Sequence, residues 1–267
     1  SNDGWGVWRQ APQQRDITMA MQTTLDDITT KLSSIRLPIA GLVPMTTLDY
    51  PDHLACVVFL QGCPLRCGYC HNPNMIPPRR GEPQEWQAIL EFLSTRQGLL
   101  EAVVFSGGEP TLNADLSDAV KEVKALGFKV GLHTAGPYPD RLTQLLPHLD
   151  WVGLDVKGRG KAFDRICGRP GIWQLHARSL EALLDSGLNF ECRTTIHWKD
   201  FQLADVERLA LSLADCGVRH YALQVARSEQ CFDPTYSQPV ANTPSTAQMN
   251  ALVSRLKPHF DQLELRQ

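Results

Sequence analysis

Three cysteines, Cys63, Cys67 and Cys70, fall within eight positions in the string QGCPLRCGYCHNP. Thiolates this close together on one loop can each ligate one iron of a four-iron cubane, and Gly62, Pro64 and Gly68 let the loop wrap around it. Three ligands for four irons leave one iron open, and an open position is what catalytic metal sites use to bind substrate or cofactor. The other chemistry these residues allow is structural zinc, with His71 or a distant cysteine as fourth ligand. Zinc sites usually come as two paired half-sites, however, and the chain has no second C-x2-C.

Further polar residues sit where apolar runs end. AVVFSGGEP places Gly107 and Gly108, which lack a Cβ and let backbone carbonyls approach a ligand, beside Glu109, which can accept from an ammonium group. Glycine pairs also occur in ordinary turns. KVGLHTAG offers His133 and Thr134; a single histidine is more often a satisfied core or rim residue than a ligand. In WVGLDVKG, Asp155 and Lys157 alternate with apolar neighbours and project to one side, a costly burial unless they have a role or form a structural ion pair. FECRTTIHWKDF supplies Arg193, whose guanidinium can grip a carboxylate with two parallel bonds, and His197, just past the run and placed to face a substrate. YALQVARSEQ adds Gln224 and Arg227 as rim candidates. Cys56, Cys167, Cys192, Cys216 and Cys231 are scattered and read as buried free thiols.

The elements that must hold these residues alternate short apolar runs with amphipathic segments. Strands are expected at Leu54 to Leu60, Ala102 to Phe105, Phe128 to His133, Trp151 to Val156, Phe190 to Ile196, Tyr221 to Val225 and Gln262 to Leu265. Helices are expected at Gln84 to Arg96, Ala114 to Leu126, Asp140 to Leu146, Gln174 to Asp185, Leu203 to Ala214 and Thr246 to Leu256, with Gly127 and Gly187 as stops and Pro83 and Pro139 as starts. Right-handed crossovers then give an α/β fold, a partial (β/α)6 TIM-like barrel with a parallel sheet and helices outside. The cysteine loop leaves the C-terminal end of the first strand, the rim where such sheets carry their active sites.

The 267 residues are 43% hydrophobic with a formal net charge of -3, enough for one sizeable core and without the basic bias that nucleic acid or an anionic membrane requires. No run approaches the roughly 18 apolar residues of a membrane span, and no signal-peptide pattern opens the chain, so a cytoplasmic protein is expected. Residues 1–38 read as an N-terminal extension, partly flexible or non-native, with a short amphipathic helix at 24–35; residues 39–267 form the catalytic domain.

The C-x3-C-x2-C spacing, with Tyr69 before the last cysteine, resembles the signature of radical S-adenosylmethionine enzymes. The wider string FLQGCPLRCGYCHNP resembles the activating enzymes of glycyl-radical proteins, and GLVPMTTLDYP looks most like the activator of anaerobic ribonucleoside-triphosphate reductase. The resemblance implies a [4Fe-4S] cluster on Cys63, Cys67 and Cys70 whose open iron binds the amino and carboxylate groups of S-adenosylmethionine. Electrons would come from a flavodoxin- or ferredoxin-type donor, and the 5'-deoxyadenosyl radical would abstract hydrogen from a glycine of a partner, most simply anaerobic ribonucleotide reductase. It also implies Tyr69 beside the adenine and Gly107, Gly108 and Glu109 at the methionine amino group. Thr134 would make a polar contact to the cofactor, Arg193 would hold its carboxylate, and Asp155 and the catalytic Lys157 would lie near that carboxylate and the substrate glycine. His133 replaces an aspartate of the formate-lyase activator pattern, which puts a cation site there in doubt. No cysteine lies between Cys70 and Gly107, so the ferredoxin-like insertion of some activators is absent.

Two rivals stay open at this point. A small-molecule radical enzyme, such as a deazaguanine-forming synthase, uses similar short barrels. A non-catalytic metal-binding module would use the cysteines to fold the loop and the rim to bind a partner. The arginine- and proline-bearing loop 74–81, NMIPPRRG, is a candidate partner contact or a plain solvated connection.

Overall fold

The apolar runs become strands of one sheet in a computed structural model that describes residues 34–266. Strand β1, Ile39–Thr46, pairs antiparallel with β2, Ala55–Leu60. Parallel strands follow in chain order: β3, Ala102–Gly107; β4, Lys129–Thr134; β5, Trp151–Asp155; β6, Phe190–Ile196; β7, His220–Val225; β8, Gln262–Arg266. Because β1 and β8 are the two ends of this 8-stranded sheet and do not pair, the barrel is open.

The crossovers carry α1 (Pro83–Ser94), α2 (Leu116–Ala125), α3 (Pro139–Leu145), α4 (Lys161–Cys167), α5 (Ile172–Ser186), α6 (Leu203–Asp215) and α7 (Thr246–Leu256). Their ends follow local chemistry. Pro83 opens α1 behind a reciprocal Glu82–Glu85 capping box, and Ser245 and Gln248 make the same box at α7. Gly187 closes α5 at φ 70°, a left-handed turn that a side chain disfavours. None of these helices is long and apolar enough to cross a membrane.

Successive residues of a strand face opposite sides of the sheet. One set, including Val58, Val103, Phe105, Leu132, Leu154 and Leu223, packs under the helices against residues such as Trp86, Val120 and Leu209. Truncating a side chain such as the fully buried Phe105 to Ala costs about 3–5 kcal/mol in a core of this kind. The other set, Ala55, Val57, Ala102, Val104 and Trp151, makes a separate inner cluster closed by Tyr50 from the β1–β2 turn.

The expected strands and helices appear, most with ends shifted by one or two residues. Two elements were not anticipated: the antiparallel edge strand β1 and the short helix α4. Of the helix expected at 24–35, residues 24–33 lie outside the described residues.

Candidate active site

Most of the site residues expected from the sequence line one cavity of about 220 Å³ at the C-terminal rim: Cys63, Cys67, Cys70, Tyr69, Gly107, Gly108, Glu109, Thr134, Asp155, Lys157 and Arg193. They come from the tips of five neighbouring strands, β2 to β6. Leu65, His71, Asn72, Ile76, Ser106, His133, Ala135 and Thr195 complete the wall.

The cysteine loop is held by its backbone. Gly62 and Cys63 donate N–H to the Met75 and Ile76 carbonyls at 2.8 and 3.0 Å, and Arg66 donates to the carbonyl of Cys167 at 2.8 Å. The Arg66 guanidinium also reaches the carbonyls of Cys63 and Leu65 at 2.9 and 2.8 Å. From outside, the β7–α7 connection, residues 226–245, straps the loop down. Phe232 and Asp233 donate N–H to the carbonyls of Cys70 and Gly68 at 2.9 and 3.0 Å. The Tyr236 ring packs so closely on Gly68 that a Cβ there would lie 2.2 Å from it.

The three thiols differ. Burial pushes Cys63 up to about 12 and also raises Cys70. Cys67 is instead lowered to about 7, chiefly by the neighbouring Cys167 side chain, against the effect of burial. Among the described residues no three His, Cys, Asp or Glu side chains gather closely enough to hold a single metal ion. Three thiols spaced around a cavity suit a cluster in which each binds its own iron better than they suit one zinc.

At the β3 tip the glycines serve the chain's own packing. A Cβ on Gly107, whose φ is 120°, would sit 2.4 Å from Leu60 N and O, and one on Gly108 would sit 2.3 Å from the Gly62 carbonyl. The absent side chains therefore let β3 press directly against the cysteine loop. The Glu109 carboxylate is 1% exposed and turned inward. Its Oε1 accepts from Thr111 N and Oγ1 at 3.1 and 2.6 Å and from Thr134 Oγ1 at 2.7 Å; Oε2 accepts from Ala135 N at 2.9 Å. Burial pushes its pKa above the ordinary carboxylate value, and these donors oppose the rise. Thr134 thus spends its hydroxyl proton on Glu109 while its oxygen accepts from Gly136 N, which makes it a brace for Glu109.

Across the cavity, Arg193 donates Nε and Nη2 to Asp155 Oδ1 at 3.1 and 3.0 Å, and Lys157 Nζ lies 3.6 Å from Asp155 Oδ2. Burial works to raise the Asp155 carboxyl, but the Arg193 and Lys157 charges hold it below the ordinary range. Burial alone would lower Lys157, yet Tyr69, Asp155 and Cys67 hold it well above its ordinary value. Its ammonium stands 3.4 Å from the Tyr69 hydroxyl and 5.5 Å from the ring centre.

His133 Nε2 meets the Asp49 carbonyl at 2.9 Å, and burial with the Arg193 charge pushes the imidazole down to about 3, so it stays neutral. His197 does not face the cavity: Nδ1 accepts from Lys199 N at 3.2 Å and Nε2 donates to the Tyr236 carbonyl at 2.9 Å, fixing the strap. Gln224 meets Thr195 Oγ1 at 3.4 Å behind the cavity wall, and Arg227 is not part of that wall. The scattered cysteines are not all buried either: Cys216 is exposed and Cys231 half-buried, whereas Cys56, Cys167 and Cys192 are enclosed.

Residues 57–212 match the Radical SAM superfamily. The chain belongs to that superfamily. A Methanocaldococcus jannaschii protein with the provisional name glycyl-radical enzyme activating enzyme is 29% identical over 237 residues, covering 85% of the chain and 95% of the relative. The pyruvate formate-lyase-activating enzyme of Clostridium pasteurianum is 35% identical over 124 residues, 45% of the chain and 52% of that enzyme. Among solved structures, QueE from Escherichia coli aligns with a TM-score of 0.56 at 17% identity over 89% of the chain and 97% of QueE. Streptococcus suis SuiB bound to precursor peptide SuiA aligns at 0.59 and 14% identity over 76% of the chain and 46% of SuiB. These structural likenesses concern the fold, and the chain spans about half the length of the Clostridium enzyme and of SuiB.

As a radical SAM enzyme the chain works with a [4Fe-4S] cluster and S-adenosylmethionine. Its donors fit both groups: three thiols on one loop for the irons, and acidic and basic side chains on opposite walls for an amino acid carrying both charges.

Proposed function

We propose that this chain is the activating enzyme of a glycyl-radical protein, most specifically an anaerobic ribonucleotide reductase. When bound, the cluster supplies one electron to S-adenosylmethionine, giving methionine and a 5'-deoxyadenosyl radical that takes hydrogen from a glycine of the partner. The observation that carries the reading is the gathering of the expected residues from five strand tips around one cavity at an open rim. The Methanocaldococcus jannaschii and Clostridium pasteurianum relatives support the activating role. The reductase assignment rests on the stretch GLVPMTTLDYP, which forms β1 and the turn carrying Tyr50.

In this reading Cys63, Cys67 and Cys70 ligate three irons. The backbone at Gly107 and Gly108, with the remaining Oε2 lone pair of Glu109, receives the methionine ammonium, and Thr134 keeps Glu109 aimed. Arg193 and Lys157, already oriented by Asp155, receive the carboxylate, and Lys157 faces the side from which the glycine enters. Tyr69 steadies the loop and borders the adenine. Free thiols around an open iron suit a reducing compartment, and we place the protein in the cytoplasm with a flavodoxin- or ferredoxin-type donor.

The test is anaerobic. The chain is reconstituted with iron and sulfide, reduced with dithionite, and assayed with S-adenosylmethionine for 5'-deoxyadenosine; Cys67→Ala removes a cluster ligand and should abolish the product. Adding the reductase should then yield a glycyl-radical EPR doublet. Product without that doublet for any glycyl-radical protein would overturn the activating role and leave a small-molecule substrate.

A further inference from the structure

Helix α5 buries two polar side chains one turn apart, His176 and Ser179, both fully enclosed. Each meets one carbonyl of the turn that follows β4. His176 Nδ1 donates to the carbonyl of Ala135 at 2.8 Å, and Ser179 Oγ donates to that of Gly136 at 2.9 Å. Because a carbonyl only accepts, Nδ1 carries the imidazole proton, and burial pushes the group down to about 4, so it is neutral. Nε2 then holds a bare lone pair that meets no partner among the described residues. An apolar side chain would fill that space without such an orphan; what the imidazole adds is the bond to Ala135. Phe163 and Trp173, with ring centres 4.4 and 5.7 Å away, hold the imidazole in place.

The turn held by these two bonds is the one that grips Glu109. Ala135 N donates to Glu109 Oε2 at 2.9 Å. Gly136 N donates at 3.0 Å to Thr134 Oγ1, whose own proton goes to Glu109 Oε1 at 2.7 Å. The peptide joining Ala135 to Gly136 is therefore fixed at both ends, its carbonyl by His176 and its N–H by Thr134. Helix and turn are also in direct contact: Gly136 has φ 68°, and a Cβ there would lie 2.8 Å from Ser179 Cβ. Support thus runs from α5 through the turn to the carboxylate and the cavity.

Building on the assignment of Glu109 to the methionine amino group, we propose that His176 and Ser179 are positioning residues that fix the turn at Ala135 and Gly136 and so aim the Glu109 carboxylate at that group. Neither side chain lines the cavity, so each acts only through the turn. A carboxylate free to swing keeps its charge but loses the directional part of its hydrogen bond, and a binding constellation loses strength when its supporting shell lets it drift.

Binding separates this role from plain packing. The reconstituted chain, with its cluster oxidised so that nothing is cleaved, is titrated calorimetrically with S-adenosylmethionine and with the analogue that lacks the α-amino group. His176→Leu and Ser179→Ala should each weaken S-adenosylmethionine about five- to tenfold and leave the affinity for the analogue unchanged. His176→Asn, whose amide nitrogen stands near the place of Nδ1, should restore the parent's preference. Ser179→Ala removes one hydroxyl at nearly constant volume, so the comparison stands even where the leucine variant fails to fold. On the apo chain, the Ala135 amide proton should move upfield in the NMR spectrum of both variants as its bond to Glu109 loosens. A folded His176→Leu or Ser179→Ala chain that keeps the parent's preference, loses both ligands alike, or leaves the Ala135 resonance in place would overturn the proposal. Glu109→Gln tells this failure from that of the underlying assignment: if it too keeps the parent's preference for the amino-bearing ligand, Glu109 does not bind the amino group and both readings fall.

Discussion

The inner wall of the sheet changes character partway along the chain. From β2 to the start of β5 it is Ala55, Val57, Ala102, Val104, Gly131 and Trp151, sealed by Tyr50. From the end of β5 to β8 the same face carries Asp155, Glu191, Arg193, Thr195, Gln224, Glu264 and Arg266. The first half is filled by packing. The second is filled by ion pairs: Arg193 to Asp155 and Arg266 to Glu191 cross between strands, and Arg266 also meets Glu264 on its own strand. One sheet thus supplies a dry support on one side and a charged wall on the other, and the cavity opens above both.

The largest break comes from putting a charge into the dry half. Val104→Asp would bury a carboxylate with no cation among the residues of that cluster, and should cost at least about 4 kcal/mol, read as loss of the cooperative thermal transition. Removing a charge from the wet half should cost less. Asp155→Ala leaves Arg193 and Lys157 without their shared carboxylate. Chemical denaturation should register about 2–3 kcal/mol, below the cost for a fully buried pair because the Asp155 side chain is 33% exposed. The same variant should bind S-adenosylmethionine more weakly by calorimetry; undiminished affinity would show that orienting the two cations does not matter.

The smallest effect lies at the seam, where His133 touches both halves. Its imidazole is pushed down to about 3 in the folded chain, so between pH 6.5 and about 3 the unfolded chain holds a proton that the folded one does not. Stability from this group is therefore present above about 6.5 and drains as the pH falls. His133→Gln, which keeps a donor for the Asp49 carbonyl, should flatten the stability profile of the apo chain in that window by about 1–2 kcal/mol. An unchanged slope would mean that His133 is protonated in the folded state.

Much of the site was legible because each polar residue sits at the end of a recognisable apolar run, and runs followed by amphipathic segments have few ways to fold. What escaped notice lacked a local signal. Strand β1 contains Gly41 and Pro44, which weaken a strand pattern, and pairs only at an edge. Helix α4 has 7 residues, too few to show a period. The bond from Arg66 N to the Cys167 carbonyl joins segments far apart in sequence, so nothing near either residue announces it. His197 misled for a related reason: its position after β6 suggested the rim, but the strap captures both of its nitrogens.

Strand order has a consequence for synthesis. Since β1 to β8 cross the sheet in the order in which they are made, each strand can dock on a neighbour that already exists, and the growing sheet never awaits a distant partner. The cysteine loop belongs to the first of the parallel strands, whereas the helix end that meets Arg66 and the strap over Gly68 and Cys70 are translated later. A nascent chain therefore exposes all three thiols before the segments that close around them have left the ribosome.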